Sequence, residues 1–225
     1  AFRSLAGYLE YFATNIMDHI ITQTISKQGG HMRTTKLRHA LMNFDQLPEA
    51  SLFINLPTYK RTLEEEEEAE KQREANKAAA KAAKDKGEEV PKKEQTPSEG
   101  IKTMLFSNTI LKTIRPALCR KRIDEIVEAT GKRETEEWKA ARRASNAPLA
   151  CDPHVGNFIS DLLVDLVNHL LPVINTLRRN IQRKKTIDQI DIHGAFTIAM
   201  QLHGYDPTPM NQFVEEGMAK FPDGK

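Results

Sequence analysis

Cysteine is nearly absent. Only Cys119 and Cys151 occur, and their spacing makes neither a metal-ligand pattern nor a disulfide framework, so they read as plain thiols in a reducing compartment. Tryptophan occurs once, at Trp138, and aromatic residues make up 6% of the chain. No glycine loop that would cradle a phosphate and no nucleophile motif is present. The seven histidines show no paired metal spacing; His19, His39, His169 and His193 fall in helical patterns and are read as structural or surface groups. No apolar run approaches the roughly 18 residues of a membrane span, and no signal peptide is visible. No segment alternates as a strand would. These absences argue against an enzyme, a membrane partner, a bound metal, a cofactor or a small-molecule substrate.

Charge and helical periodicity are abundant. Charged residues are 28% of the chain, the formal net charge is +2, and the mean hydropathy is −0.54. The charge is unevenly placed. Glu64 to Glu99 holds twelve acidic and eight basic residues, which leaves an excess of six positive charges on the rest. Nucleic acid is therefore a candidate partner.

Three regions separate by composition. In residues 1–60, Leu5, Leu9, Phe12, Ile16 and Ile20 recur at three- and four-residue intervals, widened by Tyr8 and Ile21, which predicts an amphipathic helix from about Ser4 to Lys27. Gly29-Gly30 should stop it. A shorter helix with Leu37, Ala40 and Leu41 follows, then a looser tail punctuated by Pro48 and Pro57. Residues 61–100 are low in complexity. Glu64 to Lys86 has good helix propensity but almost no apolar face, and reads as a solvated helix fraying into a flexible linker. Residues 101–225 are helical again. A short helix is expected over about Met104 to Leu118, then a charged segment from Arg120 to Ser145 broken at Gly131. A long apolar helix over about His154 to Ile181 carries Ile159, Leu163, Leu166, Leu170, Ile174, Leu177 and Ile181. Pro172 lies inside it and should kink it. After a basic loop, helices are expected from about Gln189 to Gly204 and around Phe213, Val214, Met218 and Phe221.

A long helix, a short basic loop and a short helix thus occur twice, a weak internal repeat. Periodicity alone fits any helical bundle; the loop string narrows it. Arg183-Lys184-Lys185-Thr186-Ile187-Asp188-Gln189-Ile190-Asp191-Ile192-His193-Gly194-Ala195 closely resembles the loop and third helix of a core histone. Phe106-Ser107-Asn108-Thr109-Ile110-Leu111-Lys112-Thr113-Ile114-Arg115-Pro116 looks like the first helix of histone two-B, and Phe213-Val214-Glu215-Glu216-Gly217-Met218 like its extra C-terminal helix. Tyr8-Leu9-Glu10-Tyr11-Phe12-Ala13 resembles the central helix of histone two-A, and Leu37 to Leu47 its third helix and following turn. The order resembles the fused histone doublets of large DNA viruses. Three features depart from the pattern. The first short helix of the first fold is missing, about 30 residues, Cys119 to Ala150, are inserted in the second, and Pro172 lies inside the long helix.

The resemblance implies an all-α chain with two histone folds closing as an intramolecular handshake: residues 1–60 as the first fold, 61–100 as the linker and 101–225 as the second. It implies a structural protein that packages double-stranded DNA without reading sequence, beside a second doublet or proteins like histones three and four, in chromatin of a nucleus, viral factory or viral particle. Phosphate contacts would come from Arg183, Lys184, Lys185 and Thr186 in one loop and His31, Arg33, Thr34 and Lys36 in the other, with Lys112 and Arg115 on the first helix of the second fold. Glu10, Asp18, Asp45 and Glu216 stand where the family has a shared acidic patch, while Asn15, Phe44 and Gln46 replace carboxylates there. The alternative is a histone-fold interaction module of a transcription or chromatin complex, whose main partner is protein.

Overall fold

The structure is a computed structural model; it describes residues 2–27, 37–41, 43–85, 109–131, 136, 139, 152–181 and 185–219. Helix α1 spans Phe2–Lys27, and α2 spans Leu37–Leu41. Asn43 follows in the left-handed region, at φ 49°, where asparagine is tolerated better than most residues. Two short 3₁₀ turns, Phe44–Gln46 and Ala50–Leu52, carry the chain to α3, Pro57–Asp85. A π turn, Ile110–Ile114, leads directly into α4, Arg115–Thr130. Helix α5 spans Pro153–Thr176 and ends in a second π turn, Leu177–Ile181. Helices α6, Gln189–Leu202, and α7, Thr208–Ala219, complete the chain. Among the described residues there is no strand.

The termini follow from local chemistry. Asp152 caps α5 by accepting the His154 amide at 3.0 Å, with Pro153 at the first helical position, where its missing N–H costs nothing. Gly131, at φ +59°, ends α4 where the sequence places a break, and its amide donates to the Val127 carbonyl at 2.9 Å. The predicted stop at Gly29-Gly30 lies outside the described residues.

Both halves feed one core. Tyr8, Phe12, Ile16 and Ile20 of α1 are buried together with Ile159, Leu163, Leu166 and Leu170 of α5, Ile110 and Ile114 before α4, Phe196 of α6 and Val214 of α7. Helix α1 packs against its own neighbour α2 but also against α4, α5, α6 and α7. It is therefore covered on more sides than a simple amphipathic helix, which is why Ala13 and Met17 are buried as well. Its approach to α7 is close: a Cβ on Gly7 would meet a Val214 methyl at 3.2 Å. Tyr8 stacks on Phe196 with centroids 4.6 Å apart, and its hydroxyl lies 2.6 Å from His193 Nδ1.

Helix α5 corrects one sequence expectation. Within His154–Asn180 a stretch of 18 residues has a mean hydropathy of 1.3 and, by length and composition alone, could cross a membrane. One face of the helix lies in the core, from Val155 and Phe158 through Ile174, while Val164 and Leu171 are exposed. Pro172 does lie inside the helix, and the Thr176 hydroxyl donates to the Pro172 carbonyl at 2.9 Å.

The linker is also more ordered at its start than its composition suggests. Helix α3 begins at Pro57, inside the first region, rather than near Glu64. The Thr58 amide donates to Asp165 of α5 at 2.8 Å, and Tyr59 packs on Phe44 with centroids 4.9 Å apart. A carboxylate from the other half thus satisfies a first-turn amide that has no partner within its own helix. Beyond Lys71 the described side chains of α3 are exposed, as its lack of an apolar face predicts.

Candidate nucleic-acid interface

The second-half loop is built between two fixed ends. On the α6 side, Asp188 accepts the amides of Ile190 and Asp191 at 2.9 and 3.1 Å, while Asp191 accepts the Asp188 amide at 2.9 Å. This reciprocal capping box satisfies amides the helix cannot satisfy itself. On the α5 side, Arg178 Nη1 donates to the Lys185 carbonyl at 3.0 Å. Between them Lys185, Thr186 and Ile187 are exposed. Arg183 and Lys184 lie outside the described residues, as do His31, Arg33, Thr34 and Lys36 of the other loop. That other loop leaves α1 and returns at α2, which packs on both α1 and α5.

Lys112 is exposed on the π turn, available to solvent. Arg115 is not: its side chain is 0% exposed, so its guanidinium is not offered to a phosphate. The reason is the π turn. Its wider pitch bonds the Arg115 amide to the Ile110 carbonyl five residues back, which turns Arg115 onto the buried face with Ile110 and Ile114. The resemblance implies a phosphate contact at Arg115, and this burial removes it. Two arginines that sequence reading did not single out stand nearer the loop, Arg178 half-buried and Arg179 exposed. Their signal was available, since only Asn180, Ile181 and Gln182 separate them from the basic string.

The four acidic residues are all exposed but do not converge. Glu10 and Glu216 line a cavity of about 460 Å³ with Arg3, between α1 and α7. Asp18 lines a separate one of about 500 Å³ with Tyr11, Asn15, Glu49, Tyr205 and Asp206. Asp45 lines neither of them. Partial burial raises the Asp18 carboxyl above its ordinary value, against the opposing pull of Lys121. Glu49, which the sequence did not flag, is 4% exposed. Its Oε1 accepts from Tyr11 at 2.9 Å and Asn15 at 3.2 Å, whereas Oε2 is buried with no hydrogen-bond partner. Burial, with Glu49 nearby, pushes the Tyr11 hydroxyl up to about 12. Asp206 is held below the usual carboxylate range by bonds from Thr208.

Cys119 is fully buried, which raises its thiol and leaves it inert as a nucleophile. Cys151 lies outside the described residues. Among the described residues no group of three or more His, Cys, Asp or Glu is placed to hold a metal ion. A scan against protein-family models, a search of curated proteins and a search of solved structures each gave no match to this chain.

Proposed function

We propose that the chain is a DNA-packaging protein that binds the duplex backbone without reading bases, its two halves closing on each other as paired histone-like folds. The observation that carries this reading is the α5–α6 loop. Exposed Lys185 and Thr186 sit between a long core helix and a capped short helix, in a string that resembles a core-histone loop. Lysine and arginine on such a loop would neutralise phosphates and release counterions, and among the described residues no strand competes for the bases. The single core fed by both halves supports the intramolecular pairing. Buried Arg115 plays no part in the contact. Lys112 and the loop residues Arg183, Lys184, Lys185 and Thr186 do, with His31, Arg33, Thr34 and Lys36 from the first half. Its DNA-bound partner would be a second doublet or proteins like histones three and four, in chromatin or a viral particle.

The test is a pair of triple substitutions. Arg183, Lys184 and Lys185 changed to Ala should weaken binding to random-sequence duplex and flatten its log-log salt slope by about 2 to 3 units. Stability should change by no more than about 0.5 kcal/mol, the usual range for substitutions of surface charges. Lys77, Lys81 and Lys84 changed likewise in the linker should matter much less. Equal losses from both triples would mean that binding follows total charge, and the placed-loop reading would be wrong.

A second reading has its own support. The cavity lined by Asp18, Glu49 and Asp206 suits a cationic side chain of a protein partner. On that reading neither triple substitution alters DNA binding.

A further inference from the structure

We propose that Arg178 is a positioning residue for the α5–α6 loop: it fixes the loop backbone from which Lys185 and Thr186 reach phosphate, without touching phosphate itself. The inference rests on the DNA-binding reading above and adds to it a residue that the basic string does not contain.

Three observations converge on it. First, Arg178 spans seven residues to donate from Nη1 to the Lys185 carbonyl at 3.0 Å. Its side chain is half-buried, and its Nε is shut away from solvent with no hydrogen-bond partner. A guanidinium that merely shared the surface charge would face water, as Arg179 next to it does. Second, the turn that carries Arg178 is itself pinned. Leu177 Cδ1 lies 3.1 Å from where a Cβ on Gly194 would stand, so the π turn sits closely against α6. Third, the loop's far end is held by the Asp188–Asp191 capping box, with Asp191 1% exposed. The loop is therefore held from α5 by Arg178 and from α6 by Asp188.

The physical benefit is entropic. A lysine on a free loop must give up backbone and rotamer freedom when it grips phosphate, and that loss subtracts from affinity. A loop ordered before DNA arrives has already met the backbone part of that cost. The π turn supplies the geometry: its extra residue rotates the end of α5 relative to ordinary pitch, and such turns recur at functional sites.

The experiment compares Arg178→Met, Arg178→Lys and Arg179→Met in the full-length chain. Methionine keeps length and packing but removes the donors; lysine keeps charge and a donor. Two quantities are read: amide hydrogen exchange of Thr186 and Ile187 in DNA-free protein, and affinity for a random-sequence duplex across a salt series. Arg178→Met should speed that exchange and weaken binding roughly threefold to tenfold, with the salt slope unchanged. Arg178→Lys should recover most of both. Arg179→Met, if that exposed group meets phosphate, should leave exchange alone and flatten the slope by about 0.9. Unchanged exchange in Arg178→Met would overturn the brace. A slope flattened by a full phosphate in that variant would overturn it too, since Arg178 would then be a direct contact. Wild-type protein indifferent to duplex DNA would overturn the DNA reading, and the exchange result would then decide the brace by itself.

Discussion

Tyr8 shows how one side chain ties the halves together. From the first-half helix α1 it stacks on Phe196 and reaches His193, both in α6 of the second half. Burial, with Glu215 nearby, pushes its hydroxyl up to about 12, so it remains a neutral donor throughout the working pH range. Tyr8→Phe keeps the stack and removes the bond, and should cost about 1 kcal/mol by urea unfolding. Tyr8→Ala also removes the ring, and should cost about 3 to 5 kcal/mol, as other buried aromatic truncations do. Equal costs for the two would show that the stack contributes nothing. Residue-scale features of this kind are the least legible in sequence. The apolar position of Tyr8 is visible as part of a stripe, but its partner across 185 positions is not. Arg115 and Glu49 fail for the same reason. A charged residue reads as surface until the local pitch or a neighbouring turn buries it.

At the scale of elements, legibility depended on whether the signal was local. The α5 stripe, the break at Gly131 and the start of α6 after an acidic cap could be read because periodicity, glycine and capping residues act within a few positions. The two π turns could not, since no local pattern marks an added residue in a turn. The start of α3 was missed by several residues, because Asp165, far away in sequence, supplies its cap. The α6 cap gives a direct test. Asp188→Ala removes the acceptor for two first-turn amides and should destabilise the protein by about 1 kcal/mol, up to about 2. Exchange should rise first at the amides of Ile190 and Asp191, while α7 stays protected. Uniform exchange across both helices would contradict a local cap.

At the scale of the whole molecule, neither half has a core of its own. Apolar faces of α1 and α5 are buried in one cluster, and α1 is covered mainly by second-half helices. Fusion makes that pairing intramolecular, and its strength should not depend on the tether. A protease site placed near Gly87 and cut should therefore leave the halves co-eluting at micromolar concentration. Halves that separate while each stays folded would refute a shared core. The described part of the linker, to Asp85, is helical: α3 continues for 29 residues, about 43 Å, from its anchor on α5.

The claim that matters most is that this shared core presents basic loops to the DNA backbone. Its most direct measurement is the affinity of the intact chain for random-sequence duplexes of differing base composition, titrated from about 50 to 200 mM salt. The account predicts a log-log slope of about −0.9 per neutralised phosphate, steep enough for several contacts and the same for every sequence. Affinity that is indifferent to salt, or a strong preference for one sequence, would contradict it.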